Sequence, residues 1–133
     1  VVILQISGSW CPNCLDESKF LGEMLEKYSP NLEIVCLAFE RPEGFEAAKA
    51  EAMKLVNVAG IKYEVLITGH SPAKLKEALP ELENFKAFPT TIFIDKKGAV
   101  RRIHSGFTGP GTGIHYKNFV QEFTTFVEGL ISE

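Results

Sequence analysis

Short apolar runs that alternate with helical segments are the feature that most constrains the fold of this chain. The first run, residues 1–6, is apolar and rich in β-branched residues, which is typical of a strand buried on both faces. Further runs of strand length lie at residues 33–39, 63–68, 90–95 and 100–105. Helical patterns lie at residues 12–28, 45–58, 72–82 and 114–131. This order predicts an α/β fold with a mixed central sheet of about five strands flanked by helices.

The connections predict the strand directions. Helices separate the first three strands, so these strands should be parallel and joined by crossovers. Asp-Lys-Lys-Gly at residues 95–98 has the composition of a hairpin turn, so the strands on either side of it should be antiparallel. A length of 133 residues without repeats or linkers suits a single domain spanning 1–133. Because the chain starts within a strand and without Met, we expect an excised or processed product whose signal or anchor lies upstream.

Composition argues against several classes of function. The formal net charge is −3, whereas a nucleic-acid-binding domain usually shows a basic footprint. Three cysteines are too few for a small disulfide-scaffolded protein. The glycine-rich stretch at residues 108–113 lacks the Lys-Ser/Thr of a phosphate-binding loop, so we expect no nucleotide site there.

The strongest functional signal is a pair of cysteines at the start of the first predicted helix. Pro12 suits the first helical position, where its missing N–H costs nothing, and this makes Cys11 the N-cap. Unpaired backbone N–H groups and the positive end of the helix dipole favour a thiolate at that position. Cys14 lies within reach of a mixed disulfide formed on Cys11. The spacing therefore predicts that Cys11 attacks a disulfide and that Cys14 resolves the intermediate.

Other interpretations of the cysteines remain open at this point. A zinc site needs four ligands, and Cys36 and the three histidines lack ligand spacing. The pair could also be inert, hold copper through two soft sulfur ligands, or belong to an interaction domain with idle cysteines. Cys36 lies between Val35 and Leu37 in a predicted strand, which favours a buried structural thiol.

One carboxylate lies on the apolar face of the first predicted helix. Cys14, Glu17, Leu21, Met24 and Tyr28 are spaced three and four residues apart and share one face. Burial on that face should raise the pKa of Glu17, which would let it exchange a proton with Cys14 near neutral pH. The alternative is a Glu at the edge of the face that reaches solvent or pairs with a lysine.

Two motifs together resemble the thioredoxin superfamily over essentially the whole chain. The first is Trp-Cys-Pro-Asn-Cys at residues 10–14 followed by Glu17, and the second is Phe-Pro-Thr-Thr-Ile-Phe-Ile-Asp at residues 88–95. Within the superfamily the match looks closest to the TlpA/ResA-like disulfide reductases. The helix–strand insertion of that branch, which precedes the Pro-Thr strand, corresponds to residues 45–68.

The resemblance implies a thioredoxin-like fold and a thiol–disulfide oxidoreductase that reduces protein disulfides. It implies catalytic roles for Cys11, Cys14 and Glu17, and substrate-binding roles for Trp10, Pro12, Phe88, Pro89 and Gly106. It also implies that the bond before Pro89 is cis, and it makes Phe107 a candidate wall of the substrate groove. No metal is implied, and no cofactor beyond a redox-active Cys11–Cys14 disulfide.

The resemblance further implies partners and a compartment. The partners would be a client protein that carries a disulfide and an upstream membrane electron donor, in an extracytoplasmic, bacterial setting. Two departures from the pattern bear on the chemistry. Gln5 stands where thioredoxin has a buried Asp, so Glu17 would take over proton transfer. Asn13 adds no charge that would stabilise a thiolate, so we do not expect a strong oxidant.

Overall fold

The computed structural model describes residues 1–133, and its five-stranded mixed sheet flanked by helices confirms the predicted architecture. The strands are β1 (Val2–Ser7), β2 (Glu33–Ala38), β3 (Glu64–Ile67), β4 (Thr90–Ile94) and β5 (Val100–Ser105). They lie in the order β3-β2-β1-β4-β5. The apolar N-terminal run is therefore the central strand, where both faces of the sheet are covered.

Strand pairing brings polar side chains together in the middle of the sheet. The strands β1, β2 and β3 are parallel, and β4 runs antiparallel to both β1 and β5, as predicted. In this register Gln5 of β1 lies opposite Cys36 of β2 on one side and Thr91 of β4 on the other. Because directly paired residues point to the same face, these three side chains share one face of the sheet.

The helices are α1 (Pro12–Tyr28), α2 (Phe45–Ala59), α3 (Leu75–Ala78) and α4 (Ile114–Ile131). The prediction of one helix over residues 72–82 is wrong, because a 3-10 turn at Pro72–Lys74 leads into α3, a helix of only 4 residues. Pro80 explains the early end: its ring disfavours a helical backbone at Leu79, where φ is −129° and ψ is 68°. None of these helices combines the length and the apolar character needed to cross a membrane.

An aromatic cluster between α1 and α4 lies at the centre of the larger core. The Phe20 ring of α1 packs edge-on against Phe123 of α4, with ring centroids 4.9 Å apart. The apolar face of α4 joins this core with Tyr116, Phe119, Val120, Phe123, Val127 and Leu130. The expectation that Phe107 walls a substrate groove is wrong, because its ring is buried in this core against Phe20 and Phe119.

Truncating Phe20 to Ala should destabilise the fold by about 3–5 kcal/mol, because it removes a buried ring that four other aromatic rings contact. Phe45→Ala is the matched control, since the Phe45 side chain is 57% exposed, and it should cost less than about 1 kcal/mol. Urea unfolding of both variants gives the two free energies. Similar losses for both would contradict the placement of Phe20 in the core.

Candidate active site

The sulfur of Cys11 caps the N-terminus of α1. Cys11 has an extended backbone, with φ −107° and ψ 113°, and Pro12 follows it at the first helical position. The backbone N–H of Cys14 donates to Cys11 Sγ over 3.3 Å. The sulfur thus takes the place of the oxygen that usually caps a helix, and it shares the Cys14 N–H with the backbone oxygen of Cys11, which accepts it over 3.1 Å. Both cysteines are free thiols.

Cys14 lies deeper than Cys11 and in a different environment. Its side chain has no exposed surface, whereas Cys11 at the helix start is 8% exposed. Burial raises the pKa of the Cys14 thiol far above its ordinary value, and the neighbouring Cys11 raises it further. Cys14 is therefore protonated at neutral pH, and any nucleophilic step at its sulfur requires a base that removes the proton.

Glu17 lies one turn after Cys14 on the same buried face, and its side chain is only 2% exposed. The Thr91 hydroxyl of β4 donates to Glu17 Oε2 over 2.8 Å, while Oε1 is buried without a hydrogen-bond partner. Burial raises the pKa of Glu17 to about 7, against the opposing effect of the Thr91 hydrogen bond and of the nearby Gln5 amide. The raised pKa predicted from the helix spacing is confirmed, and the carboxyl titrates near neutral pH.

A chain of neutral hydrogen bonds supports this face of α1. Tyr63 donates its hydroxyl to Gln5 Oε1 over 2.9 Å, and Gln5 Nε2 donates to Ser18 Oγ over 3.1 Å. Ser18 Oγ in turn donates to the backbone oxygen of Cys14 over 2.8 Å. Sequence reasoning missed Ser18 and Tyr63, although a Gln on a central strand signals that buried hydrogen-bond partners exist.

The loop before β4 approaches Cys11 from the other side. The Phe88–Pro89 bond is cis, as the resemblance implies. The backbone oxygen of Phe88 lies 3.8 Å from Cys11 Sγ. Gly106, at φ +82°, donates its N–H to the Pro89 oxygen over 2.7 Å, which ties the end of β5 to this loop. Residues distant in sequence therefore converge on the sulfur at the helix start.

Trp10, the residue before Cys11, is half-buried. Its indole Nε1 donates to the backbone oxygen of Phe39 over 2.8 Å, and its ring packs edge-on against Phe88 at 4.9 Å between centroids. A Cβ on Gly8 would lie 2.8 Å from the Phe39 oxygen and would clash with the indole. Gly8 is thus required where the chain passes under Trp10. Pro12 is exposed next to Cys11 at the helix start.

The remaining titratable residues considered from the sequence lie elsewhere. Cys36 is buried in β2, and burial raises the pKa of its thiol to about 12, which suits an unreactive core cysteine. His104 packs against Phe119 in the aromatic core. No group of three or more His, Cys, Asp or Glu side chains is arranged to hold a metal ion.

Sequence reasoning also missed a contact between Ser9 and Glu40. Glu40 follows β2, is 2% exposed, and accepts hydrogen bonds from both the backbone N–H and the hydroxyl of Ser9. The signal available in the sequence was only a carboxylate directly after a buried strand. Its partner lies 31 positions away, and only the parallel pairing of β1 with β2 makes the two neighbours.

Comparison with known proteins begins with sequence. No family model matches the chain. The thioredoxin-like protein YneN of Bacillus subtilis is 24% identical over 105 residues, which cover 79% of this chain and 56% of that protein. The chain thus spans little more than half the length of this curated relative.

Solved structures are similar over most of the chain. A candidate thiol:disulfide interchange protein DsbE from Chlorobium tepidum has a TM-score of 0.68 and 22% identity, over 96% of this chain and 79% of its own. A thiol-disulfide isomerase from Corynebacterium glutamicum has a TM-score of 0.66 and 20% identity, over 99% of this chain and 80% of its own. A secreted disulfide oxidoreductase of Mycobacterium tuberculosis, homologous to E. coli DsbE, has a TM-score of 0.61 and 16% identity, over 81% of this chain and 70% of its own.

These comparisons define the fold. The chain has the thioredoxin fold, which confirms the resemblance stated from its two motifs. The solved proteins that it resembles are described as a thiol:disulfide interchange protein, a thiol-disulfide isomerase and a disulfide oxidoreductase.

Glu17→Gln should remove a pH dependence from the stability of the fold. The pKa of Glu17 is about 7 in the folded chain against an ordinary 4.5, so the folded chain keeps a proton that the unfolded chain loses. The free energy of unfolding should therefore fall as pH rises through this window, by on the order of 3 kcal/mol, and level off above it. The Gln variant, which carries no titrating group there, should lack this fall.

Urea unfolding under reducing conditions, from about pH 4 to about pH 8, measures the effect. Glu26→Gln is the matched control, since Glu26 is exposed on the same helix, and it should keep the full pH dependence. Parallel profiles for Glu17→Gln and the unsubstituted chain would contradict the assigned environment of Glu17.

Proposed function

We propose that this chain is a thiol–disulfide oxidoreductase that reduces disulfides of client proteins. The observation that supports this most is the position of Cys11 Sγ. The sulfur accepts the Cys14 N–H at the start of α1 and lies 3.8 Å from the Phe88 oxygen, and Cys11, at 8% exposed, is the more accessible cysteine of the pair. The N-terminus of a helix stabilises negative charge on a sulfur placed there.

In the first step the Cys11 thiolate attacks one sulfur of the client disulfide. An S–S bond forms between Cys11 and that sulfur, the client S–S bond breaks, and the other client sulfur leaves as a thiolate that takes up a proton. The negative charge that Cys11 carried as a thiolate leaves with the departing client sulfur, so Cys11 is uncharged in the mixed disulfide. The N–H of Cys14 continues to orient the Cys11 sulfur.

In the second step Cys14 loses its proton and attacks the Cys11 sulfur. A Cys11–Cys14 disulfide forms, the bond between Cys11 and the client sulfur breaks, and that client sulfur leaves as a thiolate that is protonated in turn. The client disulfide has then gained two electrons and two protons, and the enzyme dithiol has lost them. A donor protein that carries a reduced dithiol would restore the starting state by the reverse exchange.

Glu17 accepts the proton of Cys14 in this proposal. Three properties suit it: its position one turn along the same buried face, its unpartnered Oε1, and a pKa of about 7. A base whose pKa lies near the working pH has an adequate population of the ionised form and still holds the proton it receives.

The client would bind along the surface formed by Trp10, Pro12 and the Phe88–Pro89 loop. Trp10 and Phe88 present aromatic rings beside Cys11, and the cis Pro89 loop is held by the Gly106 N–H. The backbone of Phe88 would pair with the client chain, as the family resemblance implies.

We further propose an extracytoplasmic, bacterial setting with electrons supplied by an upstream membrane donor. The likeness to a secreted oxidoreductase and to a DsbE supports this setting.

Trapping with single cysteine variants tests the proposed roles. Cys14→Ser should accumulate a mixed disulfide between Cys11 and a disulfide-containing test protein such as insulin, because the resolving sulfur is gone. Cys11→Ser should form no adduct, and Cys36→Ala should exchange like the unsubstituted chain. Mass spectrometry of non-reduced samples identifies the adduct and the cysteine that carries it.

Three outcomes would contradict the proposal. If Cys11→Ser formed adducts equally well, Cys11 would not be the attacking cysteine. Tight stoichiometric Cu(I) binding without any disulfide exchange would favour a copper-handling module, and absence of both would favour an interaction domain with idle cysteines.

The role of Glu17 has a separate kinetic test. In the unsubstituted chain the rate of the second step should rise with pH through about 7, as the carboxyl ionises. Glu17→Gln should lose this inflection and resolve the mixed disulfide about a hundredfold more slowly above it. Single-turnover release of the second client thiol measures the step, with Glu26→Gln as control. An unchanged inflection in Glu17→Gln would leave Glu17 with a structural role only.

A further inference from the structure

Glu40 is a buried carboxylate that the proposed thiol chemistry does not use. It follows β2 and is 2% exposed, and it takes part in none of the ion pairs of the chain. Its Oε2 accepts the backbone N–H of Ser9 over 2.9 Å, and its Oε1 accepts the Ser9 hydroxyl over 2.6 Å. Burying a carboxylate costs desolvation free energy unless its oxygens are hydrogen-bonded. The two hydrogen bonds from Ser9 offset this cost for Glu40.

The neighbours of Glu40 hold the same loop. The Phe39 N–H donates to the Ser7 oxygen over 2.8 Å, and the Phe39 oxygen accepts the Trp10 indole N–H over 2.8 Å. The guanidinium of Arg41 lies 5.3 Å from the centre of a Trp10 ring. Three consecutive residues after β2 therefore contact the segment that runs from β1 to Cys11.

This segment determines where Cys11 lies. Residues 8–11 connect β1 to α1, and the Cys11 N–H donates to the Gly8 oxygen over 3.2 Å. Glu40 fixes Ser9 in the middle of this connection, two positions before the sulfur. Trp10, which follows Ser9 directly, packs against Phe88.

We propose that Glu40 is a positioning residue for Cys11. It acts through Ser9 and Trp10, and it holds residues 8–11 in one conformation so that Cys11 presents its sulfur beside the Phe88 oxygen. The inference rests on the proposed thiol–disulfide exchange for its effect on rate. The contact itself is independent of that chemistry.

The chain offers a sharp set of variants. Glu40→Ala removes both acceptors. Glu40→Gln can keep both contacts, because its amide oxygen accepts the Ser9 N–H while its NH₂ donates to the Ser9 hydroxyl oxygen. Ser9→Ala removes only the hydrogen bond from the Ser9 hydroxyl to Glu40 Oε1, and Ser9 is half-exposed, so the substitution is mild. Glu43→Ala is the matched control, since Glu43 is exposed in the same loop and pairs with Lys74.

Two readouts separate positioning from general damage. Trp10 is the only tryptophan of the chain, so its emission and its quenching by acrylamide report on this loop alone. Glu40→Ala should make Trp10 more accessible to quencher and slow mixed-disulfide formation at Cys11 about tenfold, with an unchanged far-UV circular dichroism spectrum. Ser9→Ala should give a Trp10 quenching and a rate of mixed-disulfide formation between those of Glu40→Ala and the unsubstituted chain. Glu40→Gln should restore both the quenching and the rate to nearly the values of the unsubstituted chain.

Several results would overturn the positioning role. Glu40→Ala with unaltered Trp10 quenching and unaltered exchange would do so, as would Glu40→Gln being as slow as Glu40→Ala. Should Glu40→Ala fail to fold, Ser9→Ala decides: unaltered quenching and rate in that variant contradict the proposal. If the unsubstituted chain shows no exchange at all, the proposed function fails, whereas Trp10 quenching still decides whether Glu40 holds the loop.

Discussion

The hydrogen bond from the Cys14 N–H to Cys11 Sγ is the interaction on which the site depends. It exists because Pro12 starts α1 directly after Cys11, which leaves the sulfur as the only side-chain cap of that helix. The same bond places one cysteine at the helix end and the other a turn inside it. The two sulfurs therefore have different surroundings. The Cys11 sulfur faces the positive end of the helix dipole, whereas the Cys14 sulfur lies in the core.

The sheet supplies polar partners for the buried side of α1. Because β1 lies between β2 and β4, Gln5 and Thr91 face the buried side of α1. Thr91 holds one oxygen of Glu17, and Gln5 reaches Cys14 through Ser18. Desolvation by this packing raises the pKa of both groups, far above its ordinary value for the Cys14 thiol and to about 7 for the Glu17 carboxyl.

The parts of the structure that were predictable from sequence are those determined by local pattern. The bounds of α1 and the hairpin before β5 follow from Pro12, from the helix spacing and from Gly98. The helix at residues 72–82 was mispredicted because the restriction that Pro80 imposes on Leu79 outweighs helical spacing. The Glu40–Ser9 contact had no local signal, because it depends on which strands become neighbours. Phe107 was misplaced for a related reason, since its partners belong to α1 and α4.

The most direct test of the central claim is the redox state of each cysteine at equilibrium. The chain is incubated in glutathione buffers of graded potential, the thiols are alkylated, and peptide mass spectrometry reports which cysteines remain free. A reversible oxidation confined to Cys11 and Cys14, with Cys36 reduced throughout, is the expected result. A disulfide that includes Cys36, or three alkylated thiols at every potential, would contradict a redox site at the start of α1.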